Sequence, residues 1–532
     1  MTETPTIAPY NGADSLPPAH GRTTRVSPLR VLVLLLVTVG MVAGAVWVIK
    51  PTVLPPPPPG PMTFAGYVDL TAVPSYSFET PVDPALQDVI LGFVVASPGD
   101  PCTPSWGGYY NLDQASNELE VERRISQLRL TGGQARVSFG GQANTDLASA
   151  CADVAALTTA YQQVVDRYEL TSIDLDIEGA ALDDAAGMTR RATAIKAMQD
   201  KAAAADAPLT VWLTLPVGAT GLTDQGLKAV QVMLAAGVEV AGVNGMTMDY
   251  NDPAAVSGGM AAAVENSATA LRDQVVTLFG EAGTDLSGPD AWGHVGITPM
   301  IGQTDVAGEV FSIEDAQAVN AFAQQSGLGL VSMWSLNRDS TCSYPLPAVM
   351  TIVQGNCSGV DQNGFSYATI LGTDAASGSF ADPTASAVAA TPEPSPLATS
   401  PVIVDDPSTS PFPIWDPLGT YPAGTKVVWK RTVYEARFWT SGFAPDSRVE
   451  TASDTPWTVL GPVLPGDTPA PLPTMAAGTY SQWSADRSYV AGARVQLGLV
   501  PYQAKWWTQG QQPGTSVSGG SPWTLVYPTE TG

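Results

Sequence analysis

Asp174, Asp176 and Glu178 occupy alternate positions of the run Asp174-Leu175-Asp176-Ile177-Glu178 in a chain of 532 residues. On an extended strand these three carboxyl groups share one face, and Ile173, Leu175 and Ile177 share the other. Carboxyl groups crowded in a confined place repel one another and lose solvation, so at least one is expected to hold its proton at raised pH. A carboxylic acid protonated near neutrality is a general acid for breaking a bond to oxygen, and Glu178, at the C-terminal end of the run, is best placed to act as one. The chain has two histidines, His20 and His294, which leaves little material for a histidine triad or a histidine-rich metal centre. No metal and no cofactor is expected.

Such a strand needs a scaffold that buries its apolar face and turns its acids inward. Apolar, β-rich runs occur at 63–69, 88–96, 134–139, 172–178, 209–215, 239–248, 293–299 and 328–334. Helical patterns lie between most of them. In 146–168, for example, Leu147, Cys151, Val154, Leu157, Tyr161, Val164 and Tyr168 recur at steps of three and four. Eight strands alternating with helices predict an α/β fold, a (β/α)8 TIM barrel over 62–373, with the apolar face of 172–178 against the helices and the acids inside. An open doubly wound sheet would leave the count of eight unexplained.

Residues 31–49 form an uninterrupted apolar run between Arg30 and Lys50, close to the ~30 Å hydrocarbon thickness of a bilayer. With Arg22, Arg25 and Arg30 ahead of it, a signal-anchor is expected, with 1–30 as a cytoplasmic tail. The alternative is cleavage after Ala43-Gly44-Ala45. Either way the bulk of the chain is expected outside the cell, on the membrane surface or secreted. A Pro-rich spacer over 50–61 and a disordered linker over 374–413 flank the barrel. The four cysteines Cys102, Cys151, Cys342 and Cys357 suit an oxidising compartment; Cys102–Cys151 with Cys342–Cys357 is the simplest of three pairings. The formal charge of −26 argues against a nucleic-acid partner. A monomer is expected.

Beyond residue 413 the sequence repeats at an offset of 68. Trp415, Tyr421, Gly424, Val427, Tyr434, Ala436 and Trp439 recur as Trp483, Tyr489, Gly492, Val495, Tyr502, Ala504 and Trp507, and Trp457 is matched by Trp523. Two copies of one small β module, 414–460 and 479–532, joined by a linker over 461–478, are expected. If 434–440 and 502–508 are strands, Phe438 and Trp439 face opposite sides, as do Trp506 and Trp507, which leaves one aromatic of each pair exposed. Tyr421, Tyr489, Val427 and Val495 are expected in the core.

The acidic run resembles the D-x-x-D-x-D-x-E motif of glycoside hydrolase family 18, the chitinase family. Ser138-Phe139-Gly140-Gly141 is similar to that family's S-x-G-G motif, and Trp334 matches the tryptophan that floors its substrate site. The resemblance implies that Glu178 is the general acid/base, that Asp176 orients the substrate's N-acetyl group and that Asp174 couples to Asp176. It further implies a retaining mechanism in which the sugar's own acetamido oxygen is the nucleophile, so no second protein carboxylate is needed as nucleophile. Two positions depart from the pattern. Thr171 stands for the first aspartate, and in Met246-Thr247-Met248-Asp249-Tyr250 Met248 stands where the family has a tyrosine. Tyr250 shares strand parity with Met248 and is expected to supply the missing hydroxyl, while Asp249 keeps its place at the site.

Tyr67, Trp106, Trp212 and Trp292, near strand ends, are candidate sugar platforms. No stretch in 62–373 is long enough for an added α+β insertion, so by analogy the cleft is open and suits internal (endo) cleavage. The repeats resemble family 5/12 carbohydrate-binding modules that recognise chitin, with Trp415, Tyr434, Phe438, Trp439, Trp483, Tyr502, Trp506 and Trp507 as candidate contacts. The expected partner is chitin or another N-acetylglucosamine polymer. The rival expectations are an endo-β-N-acetylglucosaminidase acting on glycans and a non-catalytic chitin-binding surface protein.

Overall fold

The computed structural model describes residues 62–343, 353–375, 405–514 and 522–526, apart from positions 82, 84, 85, 287, 418, 448, 450–453, 470 and 471. The expected tail, apolar span 31–49 and spacer lie outside the described residues, as does most of the 374–413 linker. Among the described residues no helix is long and apolar enough to cross a membrane.

Eight parallel strands close into a barrel. They are β1 (Thr63–Phe64, resumed after Ala65 as Gly66–Asp69), β2 (Val89–Ser97), β3 (Ala135–Gly140), β4 (Ser172–Asp176), β5 (Thr210–Gly218), β6 (Val240–Met246), β7 (Val295–Thr298) and β8 (Leu330–Val331). Neighbours pair in chain order, and β8 returns to β1 through Leu330↔Thr63 and Val331↔Phe64. The helices of ten residues or more are α1 (Val121–Leu130), α2 (Val154–Tyr168), α3 (Ala185–Ala204), α4 (Asp224–Ala235), α5 (Met260–Glu281) and α6 (Ile313–Ser326).

Two cores follow from the alternation of strand side chains. Ile173, Leu175 and Ile177 of the acidic run point outward and are fully buried with Leu157, Tyr161 and Val164 of α2. Inside the barrel, Ala65, Tyr67, Ile90, Trp212 and Leu330 form a separate cluster, with Phe93 and Trp334 packed on it. The helix expected from 146 starts at Val154, where the Asp153 carboxylate accepts a hydrogen bond from the Ala156 N–H. Leu147–Ala150 is a separate short turn, and Cys151 between them has extended dihedrals. Cys151 is bonded to Cys102, which sits on the excursion Asp100–Trp106 that doubles back on β2. Cys342 is bonded to Cys357.

The two C-terminal repeats fold alike. β9 (Lys426–Trp429), β10 (Thr432–Ala436) and β11 (Trp457–Pro462) make one antiparallel sheet, and β12 (Arg494–Leu497), β13 (Val500–Ala504) and β14 (Trp523–Leu525) make its counterpart. In each, a tyrosine hydroxyl ties down the backbone five residues before it: Tyr421 at Asp416 and Tyr489 at Ser484. The same tyrosines meet Trp457 and Trp523 edge-on, at 5.3 and 5.2 Å. Tyr421, Tyr489, Val427 and Val495 are buried, as expected. The first repeat also extends past its expected limits. Asp405 caps the Lys430–Arg431 turn through two backbone N–H groups, and β11 runs on to Pro462.

Candidate active site

Asp174 is fully buried at the centre of β4 and is the meeting point of four strands. Its Oδ2 accepts hydrogen bonds from the Tyr67 hydroxyl of β1 at 2.8 Å and from Ser138 Oγ of β3 at 2.6 Å. Its Oδ1 accepts from Thr214 Oγ1 of β5 at 2.6 Å. Below it, Arg136 adds positive charge while its Nε donates to Ser172 Oγ at 2.9 Å. Burial still outweighs these contacts and lifts the Asp174 carboxyl above its ordinary value.

Asp176, one step nearer the C-terminal mouth, has the opposite character. It is 4% exposed and its Oδ1 has no hydrogen-bond partner. Burial, then the charges of Glu178, Asp174 and Asp146, raise its pKa well above the carboxylate range. The backbone beside it is crowded: a side chain on Gly140, whose φ is +109°, would begin 2.0 Å from the Asp176 carbonyl oxygen. That close approach requires glycine, and the Gly141 N–H donates to the same carbonyl.

Glu178 lies at the mouth, half-buried. Burial and the nearby Asp249 carboxylate push its pKa up to about 7. Asp249 is itself raised, mainly by burial and then by Asp305; its Oδ1 accepts from the Asp305 N–H at 2.9 Å. The site therefore holds a carboxylic acid protonated near neutrality, beside a second carboxyl group with an unused acceptor. Proton donation to a leaving oxygen, with a polar group for a neighbouring amide, is the chemistry such a pair can do.

Trp334, just past β8, stacks on Phe93 of β2 at 5.6 Å and 24°, and both rings are half-buried. Met246 and Met248 are also half-buried, at and just beyond the end of β6. Asp176, Glu178, Gly140, Trp334, Met246, Met248 and Asp249 thus lie at or just past the C-terminal ends of barrel strands, while Asp174 and Ser138 sit deeper within theirs.

Three expectations need correction. Tyr250 does not offer its hydroxyl to the site. β6 ends at Met246 and the backbone turns through positive φ at Asp249 and Asn251, which breaks strand parity. The Tyr250 hydroxyl instead meets Ser267 Oγ of α5 at 3.1 Å, and Glu309 holds the Tyr250 and Asn251 N–H groups. Tyr67, at 2% exposure, supports Asp174 and is no sugar platform, and Trp106 and Trp212 are core; Trp292 packs edge-on against Phe322. In the repeats, Trp415, Tyr434 and Tyr502 are buried and Trp483 packs on the core. Phe438 and Trp439 are instead both exposed, as are Trp506 and Trp507, because β10 and β13 end at Ala436 and Ala504 before reaching them.

Phe93, Thr214, Asp305 and Glu309 carried no motif in the sequence. Nor did Asp146, which Arg191 of α3 holds at 2.7 Å behind Asp176, both side chains buried.

No protein-family model matches the sequence. Over 255 residues, 47% of this chain, it is 37% identical to the probable bifunctional chitinase/lysozyme of Escherichia coli (strain K12), covering 28% of that protein. Over 272 residues, half of this chain, it is 35% identical to endochitinase 11 of Metarhizium anisopliae, covering 49% of it. The chain thus spans less than half the length of each of these two relatives. Among solved structures, the catalytic domain of the hyperthermophilic chitinase from Pyrococcus furiosus superposes with a TM-score of 0.50 at 24% identity, over 60% of this chain and 96% of that one. Over about half its length the chain is similar in sequence to these two proteins, and it shares its fold with the catalytic domain of a third.

Proposed function

We propose that this chain hydrolyses β-1,4-linked N-acetylglucosamine polymers, chitin being the natural case, from within the chain. The observation that carries the reading is the pairing of Glu178, raised to about 7, with Asp176, whose buried Oδ1 has no partner. Glu178 protonates the bridging oxygen as the bond to the anomeric carbon breaks. The acetamido oxygen of the same sugar closes on that carbon to give an oxazolinium, with its N–H held by Asp176. Glu178, now a carboxylate, takes a proton from the water that opens the ring, and the configuration is retained. Asp174 sits behind Asp176, fixed by Tyr67, Ser138 and Thr214. The stacked Trp334 and Phe93 floor the site.

The two repeats bind the same polymer through Phe438 with Trp439 and Trp506 with Trp507, flat exposed rings suited to pyranose faces. Eight acidic and eight basic residues in 414–532 suit an uncharged ligand. The protein acts outside the cell, anchored by 31–49 or released from it.

Soluble protein lacking residues 1–50 would be assayed on chitin oligomers and on an N-glycosylated protein, with Glu178→Gln as control. Oligomer cleavage by wild type alone supports the reading. Glycan release without oligomer cleavage would point to an endo-β-N-acetylglucosaminidase, and binding without cleavage by either form to a non-catalytic protein.

A further inference from the structure

The segment after β11 is rich in proline and reads as a linker, yet it makes a buried ionic contact with the barrel. Arg123 of α1 is 4% exposed. Its Nη1 donates to the Pro462 carbonyl at 2.6 Å and to Asp467 Oδ2 at 3.0 Å, and its Nη2 donates to Asp467 Oδ1 at 2.9 Å. Its Nε donates to Glu120 Oε2 at 2.8 Å, and the other oxygen of Glu120 accepts from Lys426 Nζ of β9 at 3.0 Å. Two acids and two bases therefore alternate across the boundary, with side chains 5–18% exposed. Removing one partner of such a buried set leaves an uncompensated charge.

Two backbone features serve the same contact. Glu120 begins α1 in the left-handed region, at φ +54°, a cost that a residue other than glycine bears only where its surroundings require it. Gly461 of β11 lies so near α1 that a side chain there would begin 2.5 Å from the Arg123 carbonyl oxygen and 3.1 Å from Gln127 Cβ. The second repeat is an internal control. Val428 and Val433 pack the back of the first sheet with Leu460, Phe412 and Val463; at the offset of 68 their counterparts are Gln496 and Pro501. Gln496 holds its own preceding segment through Met475, Ala476 and Tyr480. Among the described residues, only the first repeat has a back face of this apolar kind beside a strand fitted to α1. Lys505 of the second repeat pairs in turn with Asp416 of the first.

We infer that the α1 face formed by Glu120, Arg123 and Gln127 is a permanent dock for the first repeat, so that barrel and repeat move and unfold as one body with Phe438 and Trp439 at a fixed bearing. The inference does not depend on the hydrolase reading, and its test uses no substrate. The full exported chain would be compared with Asp467→Asn, which lies outside every strand, and with Gly461→Val, a wedge at the contact. Calorimetry and small-angle scattering are the readouts. Wild type is expected to unfold barrel and first repeat in one transition. Asp467→Asn is expected to split this into two, with a larger radius of gyration and an unchanged far-ultraviolet spectrum, and Gly461→Val to do the same. Two transitions in wild type, or one transition and an unchanged radius in Asp467→Asn, would overturn the dock even if Gly461→Val failed to fold.

Discussion

The hydroxyl of Tyr67 meets the carboxylate of Asp174 at 2.8 Å, across 107 positions of sequence. The contact joins the first barrel strand to the fourth, and the same hydroxyl is 2.9 Å from Thr214 of the fifth. Buried carboxylates are tolerated when donors converge on them; Asp174 has three such hydroxyl donors, while Asp176 two residues on has an oxygen with none. One acid is thereby fixed and the other left available.

Tyr67→Phe should therefore weaken the barrel rather than the grip on sugar. Losing one hydrogen bond to a buried acceptor costs about 1–3 kcal/mol, to be read in urea unfolding. An unchanged midpoint would mean that the hydroxyl does not hold Asp174 in place.

Glu178 must be protonated to act as an acid, so cleavage should fall as pH rises through about 7. Asp249 raises that value by its negative charge. Asp249→Asn should lower it, and the alkaline limb of the kcat/KM profile should move to lower pH. A shift to higher pH, or none, would contradict the coupling. Glu178→Gln should cost ~10²–10⁴-fold in turnover.

Asp176 carries a stability cost with a defined sign. Its folded pKa is raised, so its favourable contribution is complete below the ordinary carboxylate range and is lost as pH rises through the raised value. Asp176→Asn removes that titration. The melting temperature of the variant relative to wild type should therefore climb between pH 4 and pH 8. A gap that stays constant with pH would show that Asp176 remains ionised throughout.

In the repeats, Trp439→Ala and Trp507→Ala should each weaken retention on chitin beads by about tenfold, the loss of one stacked ring. Tyr434→Phe, in the core, should leave retention unchanged. Equal losses from all three would place the contact elsewhere.

The parts of this molecule legible in sequence are those where one periodicity is sustained. Eight strands, the inward acids and the duplication all follow from patterns of two, of three to four and of 68. What escaped is set by tertiary approach. Phe93 reads as one more apolar strand residue until barrel closure brings Trp334, just past the last strand, to stack on it. Tyr250 fits a parity argument that fails only because the chain leaves the strand four residues earlier. Pro462–Asp467 has the composition of a linker, and only the arrival of Arg123 gives its carboxylate a buried partner.

Because Asp174 draws its donors from β1, β3 and β5, the acid pair depends on contacts from several staves of the barrel. Two half-barrels split after β4 would each hold an incomplete set, and neither alone should retain activity. A circular permutant that joins the ends of the barrel and opens it at an outer loop keeps every stave, and should retain the site.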